Sequence, residues 1–182
     1  MTSVLVPLAQ GCEELEAITI TDLLTRAGME VVTAGLDDQP VIASRGICII
    51  PQTSIEKVAE KEFDLMVLPG GLPGADHLRD NKTVQKIIKN QAQNNRYLAA
   101  ICAAPKALAE AGVLDNKTST CYPGALNESN LQNTKLTNNA VEIDGKIITS
   151  RGPGTAMDFA LTLIEMLEGK NKRDEVEKGL VR

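Results

Sequence analysis

Apolar residues fall in short continuous runs that alternate with stretches of helical spacing. Ser3–Ala9, Met29–Ala34, Asp64–Leu68, Tyr97–Ile101 and Thr118–Cys121 read as strands. Glu13–Ala27 (closed by Gly28), Thr83–Gln93, Ala103–Ala111 and Thr155–Leu167 read as helices, followed by a polar tail over Lys170–Arg182 that is expected to be helical too. Two small hairpins are predicted, Val41–Ala43 with Ile47–Ile50 around Ser44-Arg45-Gly46, and Ala140–Ile143 with Lys146–Ser150 around Asp144-Gly145. Strands that are apolar throughout, separated by helices, imply a mostly parallel sheet covered on both faces. The predicted class is therefore α/β, a doubly wound α/β/α sandwich with small hairpins, whose sites gather at the carboxyl ends of the strands. No repeat, linker or low-complexity tract divides the chain, and 182 residues is about one domain.

Composition narrows the function. Hydrophobic residues make up 43% of the chain, sufficient for a core, so disorder is not expected. The net charge of −5, without a Lys/Arg run, argues against a nucleic-acid backbone or an anionic membrane as partner. Two Tyr, two Phe and no Trp leave little for stacking on bases. No apolar stretch reaches the roughly 18 residues of a membrane span. The opening Met1-Thr2-Ser3-Val4-Leu5-Val6-Pro7 lacks the basic region and cleavage site of a signal peptide, so a cytoplasmic protein is expected. Cys12, Cys48, Cys102 and Cys121 are scattered without a CxxC pair, and His77 is the one histidine. Reduced thiols and no metal site follow as expectations.

Ala100-Ile101-Cys102-Ala103-Ala104 has the small-x-nucleophile-x-small form of a nucleophile elbow, with Cys in place of Ser. Small neighbours permit a sharp strand-to-helix turn that thrusts out one side chain. Pro105 then falls in the first helical turn, where its missing N–H costs little. A sulfur ahead of a helix is expected to be stabilised as thiolate. The alternative is an inert, buried structural cysteine. Leu68-Pro69-Gly70-Gly71 ends the neighbouring strand. Gly70 and Gly71, with the N–H of Ala103, are placed to form an oxyanion hole, unless the pair is an ordinary turn.

Glu16 shares a helical face with Ile20, Leu23, Leu24 and Ala27 and should be partly buried. Burial favours the protonated acid, which can donate to a Cys102 thiolate or move a proton; an ionised Glu16 would repel that thiolate. The plainer alternative, a first-turn carboxylate facing the helix dipole, fits Glu13 and Glu14 better. Leu15 and Ile18 lie on the opposite face, an apolar patch suited to a homodimer contact. Arg151, in Ser150-Arg151-Gly152-Pro153-Gly154-Thr155, is either an anion ligand or, more readily, a solvated or structural arginine. That loop has neither Walker nor Rossmann spacing.

Taken in order, Glu13-Glu14-Leu15-Glu16-Ala17, Leu68-Pro69-Gly70-Gly71, Ala100-Ile101-Cys102-Ala103-Ala104-Pro105 and Thr149-Ser150-Arg151-Gly152-Pro153-Gly154-Thr155 resemble the ThiJ/PfpI superfamily, specifically the DJ-one branch with bacterial YajL-like members. The resemblance runs from Val4 to about Lys170 and implies a flavodoxin-like fold and a homodimer. It makes Cys102 the oxidisable nucleophile and Glu16 its hydrogen-bonding acid, with Gly70, Gly71 and Ala103 supplying backbone groups. Arg26 and Arg45 match arginines near the site and the dimer interface. The implied activities are cofactor-independent conversion of methylglyoxal-type 2-oxoaldehydes to hydroxy acids, repair of glycated small molecules or proteins, redox sensing through sulfinic acid, and chaperone-like protection. No residue supports the older tie of the family to thiamine metabolism. Ala103 stands where peptidase members carry histidine, and Tyr122 where some relatives place a site histidine. His77 matches no catalytic histidine, so Glu16 is the main acid/base candidate. The auxiliary cysteine positions of the family are Ala43 and Ile50 here, so the resemblance assigns no redox role to Cys12, Cys48 or Cys121.

Overall fold

A computed structural model describes residues 1–126 and 131–182. The chain opens with β1 (Ser3–Leu8), α1 (Glu14–Arg26) and β2 (Glu30–Gly35). The short hairpin β3 (Val41–Ile42) and β4 (Cys48–Ile49) follows, then β5 (Thr53–Ser54) and α2 (Ile55–Val58). Next come β6 (Leu65–Leu68), α3 (Gly74–Asp80), α4 (Lys82–Gln93), β7 (Tyr97–Ile101) and α5 (Pro105–Glu110). The last part holds β8 (Thr118–Thr120), β9 (Lys135–Thr137), β10 (Val141–Asp144), β11 (Ile147–Ser150), α6 (Ala156–Glu168) and α7 (Lys170–Gly179).

Seven strands form the main sheet in the order β10-β11-β7-β6-β1-β2-β5. Every pairing is parallel except β10 with β11, the hairpin expected around Asp144-Gly145. Side chains of β1 divide between two cores. Val4, Val6 and Leu8 pack with α1 and α6, through Ile20, Leu24, Phe159 and Ile164. Leu5 points the other way, toward Ile55 of α2, Leu78 of α3, Ile87 and Ile88 of α4 and Leu108 of α5. Helices on both faces explain why the strands are apolar throughout instead of alternating.

The departures from the predicted elements have local causes. β5 has two residues, against Ala34 and Gly35, too few to show a period. β9 carries one apolar residue and pairs with β8 outside the main sheet. The stretch after Gly71 that holds His77, given no element by the sequence pattern, is helix α3, seated by Ala75 and Leu78. Helix α4 begins one residue early because the Asn81 side chain caps it, accepting from the N–H groups of Thr83 and Val84 at 3.0 and 2.9 Å.

β1 lies between β2 and β6, so successive crossovers leave it in opposite directions. Such a switch point opens a crevice at the carboxyl ends of the strands. The segments after β1, β6 and β7 converge there, bringing Glu16, Gly70-Gly71 and Cys102 together.

Candidate active site

Cys102 follows the last residue of β7 with a backbone φ of +63°. A left-handed backbone at a residue with a side chain costs on the order of 1–3 kcal/mol and persists only where the surroundings impose it. Here they do. The Cys102 N–H donates to the Ser150 carbonyl at 3.0 Å, and the Cys102 carbonyl accepts from the Tyr122 N–H at 2.8 Å. Ala104 N–H closes the turn on the Ile101 carbonyl at 3.0 Å. Ala100, Ala103 and Ala104 are all buried, so the small flanking residues are required by space. Pro105 opens α5, two residues after the predicted start at Ala103, so the proline falls in the first turn as expected.

Glu16 lies in the first turn of α1 and is 0% exposed. Its Oε2 accepts the Gly70 N–H at 2.7 Å, across 54 residues of sequence. Oε1 is buried with no partner in the hydrogen-bond network. Burial pushes the carboxyl up to about 7, opposed by the Gly70 N–H and the Cys102 thiol. Burial, and next the Glu16 charge, push the Cys102 thiol up to about 12, against the pull of the Gly71 and Ala103 N–H groups. This corrects the expectation of a resting thiolate. Cys102 is 8% exposed, faces a carboxylate, and precedes a helix of only six residues. Cys102 and Glu16 are a coupled pair: a proton passing from sulfur to carboxyl removes the charge that held the thiol protonated.

The two glycines serve different ends. A Cβ on Gly70 would stand 2.6 Å from the Cys102 Cβ and 2.8 Å from Glu16 Oε2. A Cβ on Gly71, where φ is +87°, would stand 2.3 Å from the Glu13 nitrogen. Gly71 and Ala103 turn N–H groups toward the sulfur, as an oxyanion hole requires. Gly70 departs from that expectation, because its N–H is already committed to Glu16.

Glu13 and Glu14 are held at the Ser44 hydroxyl, 2.9 Å from each carboxylate, and Glu14 also accepts the Arg45 N–H at 2.8 Å. The Arg45 guanidinium reaches only to 4.0 Å from Glu13. Arg26 pairs with Asp22 on the same helix at 2.8 Å, and Arg151 donates to the Asn138 side chain at 2.7 Å. None of the three arginines takes part in the Cys102–Glu16 contact. The Ser44 clasp was not foreseen, since nothing in the spacing of residues 13 and 44 signals it. Leu15 and Ile18 are each 50% exposed, on the face expected to be outward. Among the described residues no group of three or more His, Cys, Asp or Glu is placed to hold a metal ion. No described helix is long and apolar enough to cross a membrane.

The sequence pattern of the DJ-1/PfpI family matches residues 2–166. Protein dj-1beta of Drosophila melanogaster is 44% identical over 180 residues, covering 98% of this chain and 96% of that protein. The crystal structure of Drosophila melanogaster DJ-1beta superposes with a TM-score of 0.94, covering 99% of this chain and 97% of that one. The glutathione-independent glyoxalase DJR-1.2 of Caenorhabditis elegans is 34% identical over 171 residues, 94% of this chain and 91% of that protein. Protein DJ-1 homolog B of Arabidopsis thaliana is 43% identical over 180 residues, 98% of this chain, which spans only 41% of its length.

Proposed function

Because the chain belongs to the DJ-1/PfpI family, we propose that it is a cofactor-independent enzyme of carbonyl and oxidative stress defence, converting 2-oxoaldehydes such as methylglyoxal to hydroxy acids or repairing glycated adducts. The observation that carries this is the buried Glu16 carboxyl, with one oxygen fixed by Gly70 and the other unpartnered, interacting with the Cys102 thiol. A glyoxalase named as independent of glutathione among the relatives supports it.

The pair supplies both groups the reaction needs. As Cys102 attacks the aldehyde carbon, its thiol proton passes to Glu16 and on to the carbonyl oxygen, giving a hemithioacetal. Gly71 and Ala103 N–H groups favour the developing negative charge. Glu16 then takes the proton from the first carbon and returns it to the second, while the hydroxyl proton passes from the first carbon's oxygen to the second's, which leaves a thioester. Water cleaves the thioester, releasing the hydroxy acid and restoring the thiol. The net change is addition of one water to the 2-oxoaldehyde.

The test is hydroxy-acid formation from methylglyoxal by purified protein, in an amine-free buffer without glutathione. Saturable turnover, absent in Cys102→Ala and reduced about 100-fold or more in Glu16→Gln, is the expected result. Full activity in either variant overturns the reading.

A second role at the same sulfur, peroxide sensing, is favoured by the same N–H groups, which can receive the oxygens of a sulfenic or sulfinic acid. Mass spectrometry after graded peroxide tests it: Cys102 should oxidise ahead of Cys12, Cys48 and Cys121, and equal rates refute the role.

A further inference from the structure

Cys121, to which the family resemblance assigns no role, lies beside the elbow. The segment that carries it is pinned to β11 by buried side chains. Thr120 N–H donates to the Thr149 hydroxyl at 2.9 Å, and the Ser119 hydroxyl reaches the same oxygen at 3.2 Å. The next residue, Tyr122, donates its N–H to the Cys102 carbonyl at 2.8 Å. One such hydrogen bond between the peptide following Cys121 and the carbonyl of Cys102 holds their Cα atoms within roughly 7.5 Å of each other by standard peptide dimensions. That bound takes in the range a disulfide spans, about 4.4–6.8 Å.

The surroundings of the other cysteines differ. Cys12 is fully buried, and burial followed by the charges of Glu14 and Glu13 pushes its thiol up to about 11. Cys48 is exposed in the hairpin, paired with Ile42. Cys121 is partly exposed. Burial raises its thiol too, but the Leu126 N–H, the Arg151 charge and the Ala125 N–H all favour its thiolate.

We propose that Cys121 is the resolving thiol for Cys102, closing an intrachain disulfide once peroxide has converted Cys102 to its sulfenic acid. The proposal rests on the reading of Cys102 as the reactive thiol. The sulfur of Cys102 attacks peroxide, the O–O bond breaks, two electrons pass from sulfur to oxygen, and the leaving hydroxide takes up the thiol proton as the first water. The Cys121 thiolate then attacks the Cys102 sulfur; the S–O bond breaks and the departing hydroxide takes up a proton as water. Two thiols and one peroxide become one disulfide and two waters. Closure competes with the second peroxide that would carry Cys102 on to sulfinic acid, and it leaves a bond that a thiol reductant reopens.

The full chain is treated with hydrogen peroxide, digested with trypsin, and compared with Cys121→Ser and Cys121→Thr treated alike. Two variants are used so that a folding defect peculiar to one does not decide the outcome. The wild type should yield the peptides Tyr97–Lys106 and Thr118–Lys135 joined, lighter by two hydrogens and separated by dithiothreitol. Both variants should accumulate about tenfold more Cys102 sulfinic acid at the same dose, as expected when a nearby resolving thiol is lost. Sulfinic acid at equal rates in all three proteins, with no joined peptides, overturns the resolving role alone. Cys102 left reduced in all three overturns it together with the reading of Cys102 on which it rests.

Discussion

Gly70 and Glu16 are joined inside the protein by a 2.7 Å hydrogen bond from the glycine N–H to carboxyl Oε2. The contact depends on the absence of a side chain at residue 70. An added Cβ would lie 2.8 Å from that same oxygen, 2.6 Å from the Cys102 Cβ and 2.9 Å from the Ile101 carbonyl oxygen. The strand end therefore holds the acid and the nucleophile at one spacing, set by backbone atoms.

Gly70→Ala should damage both stability and chemistry. Overpacking at a buried position costs about 1–3 kcal/mol, read as a lower midpoint in urea. A displacement of Glu16 or Cys102 by a fraction of an ångström to about 1 Å should reduce turnover on the order of 100-fold. A Gly70→Ala protein with unchanged midpoint and rate would show that this close approach is dispensable.

Stability should carry the signature of the buried acid. The Glu16 carboxyl is raised from 4.5 to about 7 by burial, so between those values the folded protein keeps a proton that the unfolded chain releases. The associated stability is fully present below pH 4.5 and is lost as pH rises through about 7. Glu16→Gln, which cannot ionise, escapes this loss. Thermal melts should show the variant gaining on the wild type by roughly 5–10 °C between pH 4.5 and pH 8. A constant difference across that range would mean that Glu16 titrates normally.

The same substitution should separate thiol reactivity from turnover. The Glu16 charge is one of the groups that push the Cys102 thiol up. Its removal should let iodoacetamide modify Cys102 faster in Glu16→Gln than in wild type at pH 9. Conversion of methylglyoxal should nonetheless fall, because no group is left to move protons between the carbons. Parallel changes in alkylation and turnover would instead make Glu16 a modulator of the sulfur alone.

The sequence carried the sheet and much of this site. Tyr97–Ile101 is a strand with the predicted bounds, and the run at Leu65–Leu68 is apolar because helices cover both faces. Glu16 was legible as buried because Ile20 and Leu24 repeat its position at four-residue intervals along α1. The protonation of Cys102 was not legible. The elbow pattern signals a turn, while burial and an adjacent carboxylate, which decide where the proton sits, arise from three segments meeting at the switch point. Gly70 and Gly71 look alike in sequence, yet one N–H goes to Glu16 and the other to sulfur. The approach of Cys121 to Cys102 was hidden for a related reason: it depends on the Thr149 hydroxyl, 29 residues from Thr120.

The outward face of α1 is open to a direct test of assembly. Leu15 and Ile18 are half exposed, and Leu15 borders a groove lined also by Pro153, by Met157 of α6 and by Arg182. Because α1 also carries Glu16 on its buried side, a second copy seated on this face would bear on the helix that positions the acid. A two-fold contact would bury the same patch on both copies. Leu15→Arg with Ile18→Arg places like charges opposite each other there and should convert a dimer to a monomer in light scattering coupled to gel filtration. The melting temperature should fall with it and lose its dependence on protein concentration. A wild-type protein that is monomeric at micromolar concentration, or a double variant that remains dimeric, would remove this face from the assembly.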